Sequence, residues 1–133
     1  MSKPLKLLPM LAFAAATFAA TAALAAAGPP GARSCFRFGD LQAWKSPAPN
    51  VLLFKVGASR VFRLDLQQGS NQLRYSDARL INRNVSSTWL CDPLDFNLLL
   101  TDRQGTRSEP LIVTSMRQLT PEEIDAIPPG ERP

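Results

Sequence analysis

The chain of 133 residues has no histidine. That removes the usual general base at neutral pH, the Ser-His and Cys-His nucleophile pairs and the commonest metal ligand. Cysteine is nearly as scarce, with Cys35 and Cys91 the only two. No Gly-x-Ser-x-Gly elbow, Ser-x-x-Lys pair or Gly-rich phosphate loop is present, so serine hydrolase and nucleotide chemistry have no motif to rest on. Nothing calls for a cofactor or a metal. The high pI also misleads about partners. Setting aside Lys3 and Lys6 leaves 13 basic against 11 acidic side chains, a charge of about +2, and they are scattered. Nucleic-acid binding wants a concentrated basic stripe, often with stacking aromatics, and neither is visible.

What is present begins with an export pattern. Met1 to Lys6 carries two lysines, Leu7 to about Phe18 is apolar, and small residues run to Ala27. This is the order of regions in a secretory signal peptide. Ala25-Ala26-Ala27 predicts cleavage before Gly28, and Ala23-Leu24-Ala25 allows a cut before Ala26. An uncleaved anchor is the competing reading, since Leu7 to Ala27 is long enough to span. Its alanine content, Pro9 and small residues at the cut favour cleavage, with no stable membrane insertion afterwards. Cys35 follows Ala32-Arg33-Ser34, a poor lipidation site. The alanine-rich apolar region suggests a bacterium, and hence a periplasmic or secreted protein. Residues 1–27 therefore read as signal peptide, 28–34 as a flexible lead, 35–127 as one β-rich domain and 128–133 as a loose tail.

In an oxidising compartment Cys35 and Cys91 read first as a disulfide. Closing a loop of that length is worth roughly 4 kcal/mol in the chain-entropy model, a large share for so small a core. A metal pair and a reactive thiol are the competing readings. Two distant cysteines without histidine make a poor metal site.

Asp40 suggests a cap on a helical turn carrying Leu41 and Trp44, ended by Pro47 and Pro49. The period then changes to two. Leu52, Phe54 and Val56 alternate, Gly57-Ala58-Ser59 reads as a turn, and Phe62, Leu64 and Leu66 alternate with Arg63 and Asp65. This predicts a hairpin with one buried face. Weaker strands are expected at Leu73–Tyr75 and Leu80–Ile81. Further strands are expected at Leu94–Leu100 and at Leu111–Met116. Thr120-Pro121-Glu122-Glu123 matches a capped helix start, with Pro128-Pro129 as the stop. The fold class predicted is mainly β, with α+β as the variant: a small antiparallel meander or partly open barrel with a short C-terminal helix.

Three local features invite chemistry. Asp65 with Asp95 would be the carboxylate pair of a glycosidase, although alternation with Arg63 and Arg103 reads better as a solvated face. Trp44 and Trp89 suggest either a carbohydrate platform or, preferably, packing against the disulfide. Asn84-Val85-Ser86 matches a glycosylation acceptor, a pattern common by chance.

Taken in order, Cys35-Phe36-Arg37-Phe38 with Trp44, the hairpin arm Val61-Phe62-Arg63-Leu64-Asp65-Leu66, Cys91 with its acidic and apolar sequel, and Leu119-Thr120-Pro121-Glu122-Glu123 resemble a family of small exported proteobacterial proteins of unknown function. The resemblance spans nearly all of residues 35–127. It implies export and fold and supplies no activity. Members often carry four cysteines, the second near Asn71 and the fourth near Pro110. If those two are partners, their joint loss here leaves Cys35 and Cys91 as the other pair.

The function expected is a non-catalytic module binding a protein or an envelope component. An inhibitor of a periplasmic or extracellular hydrolase, inserting a loop such as Asn82–Ser87, is the alternative. A His-free carboxylate enzyme is the third reading. N-terminal sequencing of the protein from the periplasm is expected to begin at Gly28, or at Ala26; a chain still starting at Met1 contradicts cleavage.

Overall fold

The computed structural model describes residues 34–84 and 88–133. The expected signal peptide and most of the expected lead lie outside them, as do Val85 and Ser86 of the glycosylation pattern. The described chain is mainly β, with three antiparallel sheets and one short α-helix. Strand β1 (Phe36–Arg37) pairs with β6 (Trp89–Leu90). The larger sheet has the order β2 (Leu41–Ala48), β3 (Val51–Val56), β4 (Arg60–Leu66), β9 (Val113–Gln118). The third sheet has the order β5 (Arg79–Asn82), β7 (Leu98–Thr101), β8 (Ser108–Leu111).

The hairpin β3–β4 forms where the period of two predicts it, in unbroken register from Val51↔Asp65 to Val56↔Arg60. Gly57, at φ +61°, supplies the left-handed residue of its turn. Its alternation differs from the expectation of one buried face. Leu52, Phe54, Val56, Phe62, Leu64 and Leu66 join the main core, together with Phe36, Leu90, Leu98 and Leu100. Val51, Leu53 and Val61 are buried on the opposite face under Leu119, Ile124 and Ile127. The C-terminal segment covers what would otherwise be an apolar outer face.

That cover begins at α1 (Pro121–Ala126). Thr120 accepts a hydrogen bond from the Glu123 N–H while the Glu123 carboxylate accepts one from the Thr120 N–H, the reciprocal capping box the sequence predicts. Residues 128–133, expected to be loose, instead form a 3-10 turn over Pro129–Glu131. Arg132 Nε donates to the Ile127 carbonyl at 2.8 Å, holding the tail against the helix end.

Other local expectations gave way to packing. Residues 41–48 are strand, not a capped turn. A register shift between Leu41 and Ala43 inserts a bulge, which lets Leu41 and Trp44, three apart, both pack on the core. Pro47 is tolerated because β2 is an edge strand. Leu73–Tyr75 is not a strand. A 3-10 turn over Asn71–Arg74, capped by the Ser70 hydroxyl on the Gln72 N–H, buries Leu73. Asp92 caps another 3-10 turn, Pro93–Asp95, so the strand expected from Leu94 starts only at Leu98. The last strand is two: Leu111 ends β8 and Val113 starts β9 in a different sheet.

Cys35 and Cys91 are bonded, 56 residues apart in sequence. They extend the β1–β6 ladder, whose pairs are Phe36↔Leu90 and Arg37↔Trp89. Their Cα atoms are 4.3 Å apart, close to the spacing of a non-hydrogen-bonded antiparallel pair, so the ribbon itself sets the geometry. The Ser70 hydroxyl donates to the Glu109 carboxylate at 2.8 Å, 39 residues apart in sequence.

Cys35→Ser with Cys91→Ser is expected to cost about 2–4 kcal/mol of unfolding free energy. Urea melts of the variant and of the oxidised protein check this. Equal midpoints would show that the core alone orients the ribbon.

Candidate functional site

Each side chain singled out by sequence has a defined place. Asp65 lies on β4 facing away from the main core. It accepts hydrogen bonds from Arg63 Nε at 3.0 Å and from the Ser115 hydroxyl of β9. The Ser115 hydroxyl first, and then the Arg63 guanidinium, hold its pKa below the ordinary aspartate value. Asp95 sits in the Pro93–Asp95 turn, where one oxygen accepts the N–H groups of both Cys91 and Asp92, each at 2.9 Å. Both carboxylates are thus engaged in holding backbone and strands. The lowered pKa of Asp65 is opposite to the raised one that the acid of a glycosidase pair needs.

The same face carries a charge arrangement that one-dimensional reading misses. Arg63 and Arg117 are directly opposed across β4–β9. Like charges so placed repel. Each is relieved by its own acid: Arg63 by Asp65 at 2.9 Å and Arg117 by Glu123 at 2.8 Å. The Thr120 N–H and the Arg117 guanidinium lower the Glu123 pKa. Below them a groove of about 340 Å³ runs between the sheet and α1, floored by Val51, Leu53, Leu119 and Ile127.

The two tryptophans are separated. Trp44 is half-buried on β2, opposite Phe54, and borders a cleft of about 430 Å³ shared with Lys45, Arg74 and Tyr75. Trp89 is on the outward side of the β1–β6 ribbon, because Phe36 and Leu90 take the inward side. Alternation puts it on the same side as Cys91. It is 54% exposed, with the Arg37 guanidinium 4.9 Å from its ring centroid. The pair does not form one platform. Trp89 makes a cation–π contact with Arg37.

Asn82, the first residue of the loop considered for insertion, ends β5 with its side-chain oxygen accepting the Asn97 N–H at 3.1 Å. Val85–Ser87 lie outside the described residues.

Sequence reading missed the outer face of the small sheet. Ile81, Leu99 and Pro110 are register partners across β5, β7 and β8, while their neighbours Leu80, Leu98, Leu100 and Leu111 turn to the core. Ile81 is 46% and Ile112 58% exposed. Arg79 and Arg83, two residues either side of Ile81, are exposed too. The Arg83 N–H to Asn97 carbonyl bond at 2.9 Å carries the β5–β7 pairing one residue further. The signal in the sequence was Arg-Leu-Ile-Asn-Arg, a strand with a cation at each end. It could be read only once the buried face was known.

Among the described residues no group of three His, Cys, Asp or Glu side chains is placed to hold a metal ion. No helix among them is long and apolar enough to cross a membrane. No family model, curated protein or solved structure matches the chain.

Because the Asp65 pKa is lowered in the folded protein, its contribution to stability is complete above the ordinary aspartate range near pH 4 and is lost as pH falls through the lower folded value. Asp65→Asn is therefore expected to lower the urea midpoint at pH 7 and to have little effect at pH 2. An equal loss at both pH values would show that the ionised form carries none of the stabilisation.

Proposed function

We propose that the protein is an exported, periplasmic, non-catalytic module that binds another protein of the cell envelope. The charged, apolar and small-residue order of the N-terminal segment supports export, and so does the resemblance to exported proteins. The Cys35–Cys91 bond is of the kind that persists in oxidising compartments. The observation that carries the binding role is the distribution of large apolar side chains. Leu94 is 91%, Tyr75 61%, Ile112 58% and Trp89 54% exposed, although the chain has only a modest core to stabilise it. Contiguous exposed apolar surface marks sites of association, and Ile81, Leu99 and Pro110 form such a stretch as register partners on the outer face of the small sheet. Meanwhile Asp65 and Asp95, the best acids for catalysis, are committed to strand and turn contacts.

The oxidised protein, immobilised and exposed to envelope extract, is expected to retain a specific component. That component, once purified, should titrate to saturation, and equally well with Asp65→Asn. Failure to find any saturable partner counts against the reading. Turnover of a glycan substrate that Asp65→Asn abolishes would replace it with the carboxylate enzyme.

A further inference from the structure

Sheet edges present unpaired backbone N–H and C=O groups, and proteins usually block them. Three of the four edges in the two larger sheets are blocked here. Strand β2 is bulged and contains Pro47, and the 3-10 turns at 71–74 and 129–131 pack along it. The Pro93–Asp95 turn packs against β9. Strand β8 carries Pro110, which has no N–H to offer. Strand β5 differs. It contains no proline, its register with β7 runs unbroken from Arg79↔Thr101 to Asn82↔Leu98, and its substantial contacts among the described residues are with β7.

We infer that β5 is a docking edge for an extended, acidic segment of a partner protein, which adds to the small sheet as a fourth strand. Arg79, Ile81 and Arg83 alternate on the outer face. Neither arginine has an ion-pair partner among the described residues. A second copy of this chain does not fit. Antiparallel pairing of two β5 strands about Ile81 would set Arg79 against the other copy's Arg83, and like charges directly opposed are destabilising. The same two cations attract a strand that presents carboxylates at those positions. Between them Ile81, continued inward by Leu99 and Pro110, gives an apolar residue something to cover. The pattern recognised is acid, any, aliphatic, any, acid. Backbone hydrogen bonds along β5 supply affinity and the alternate side chains supply selectivity, as in other strand-addition complexes.

This inference rests on the binding reading above and assigns it a surface and a partner chemistry. The probe is a fluorescein-labelled, end-capped Thr-Glu-Thr-Val-Thr-Glu-Thr peptide, followed by anisotropy with the oxidised protein. Saturable binding with Kd below about 1 mM is expected, weakened about tenfold or more by N-methylation of the alternate amides that face β5. Lysine in place of both glutamates should abolish it. Arg79→Glu with Arg83→Glu should reverse the preference toward the lysine peptide. Arg79→Gln with Arg83→Gln serves if the reversed variant does not fold, and should equalise the two peptides. No saturation, equal binding of the glutamate and lysine peptides, or indifference to N-methylation overturns the proposal. An envelope partner that binds wild type and the Glu variant alike overturns this edge while leaving the binding role intact.

Discussion

Phe36 is the residue on which the parts of the molecule converge. Its ring lies 4.7 Å from that of Phe62, 6.2 Å from Phe54 and 6.1 Å from Phe96, centroid to centroid. The first two belong to the central hairpin and the third follows the turn that leads into β7. A two-stranded ribbon as short as β1–β6 has no stability of its own. Disulfide and aromatic cluster therefore need each other. Cys35–Cys91 holds Phe36 beside Leu90, and burial of both side chains against the hairpin keeps the ribbon seated. The bond also ties the first described strand to the segment between β5 and β7 of the small sheet.

A second constraint follows from the hairpin's composition. Its arms are apolar on both faces, the second through Val51, Leu53 and Val61, and one sheet of four strands cannot leave that patch in water without cost. The C-terminal segment answers it with Leu119, Ile124 and Ile127, and the Thr120–Glu123 capping box sets the angle at which they arrive. Glu123 is used twice, once by the Thr120 N–H and once by Arg117. Its charge thereby relieves the opposed pair Arg63 and Arg117 as well as starting the helix. Asp65 performs the matching task for Arg63 while bonding to Ser115 across the strand pair. Of the acids that looked most chemical in the sequence, Asp65 holds a strand pair and Asp95 a capped turn. Among the described residues the small sheet has no such cover: Ile81, Leu99, Pro110 and Ile112 face outward with arginines along one edge. That contrast between a protected face and a bare one gives the molecule its candidate interaction surface.

Much of the fold was legible. The hairpin followed from strict alternation around a glycine turn, and the C-terminal helix from Thr-Pro-Glu-Glu, because both signals are local and complete within a few residues. Errors fell where a local preference competed with a distant partner. Asp40 is a sound cap on paper, but Trp44 packs opposite Phe54, and a bulge brings Leu41 to the same side. Leu73 has strand-like neighbours, yet Ser70 caps a 3-10 turn there. Alternation from Leu94 to Leu100 looked continuous, but the first half is a capped turn that leaves Leu94 in solvent. Of the candidate surface, the arginines flanking Ile81 were visible as letters, while their common direction was not.

Composition and order alone determined the exclusion of histidine chemistry, the mainly β class and the single possible intramolecular pairing of cysteines, since these depend on which residues exist and how they alternate. Only the tertiary structure decided which face of each strand meets the core, which acids pair with arginines, and which sheet edge lacks a packed neighbour among the described residues. Those outcomes depend on contacts between residues dozens of positions apart, as between Asp65 and Ser115 or Ser70 and Glu109. Shifting a strand's register by one residue turns all its side chains to the other face, so a pattern read along the chain does not by itself say which half points to water.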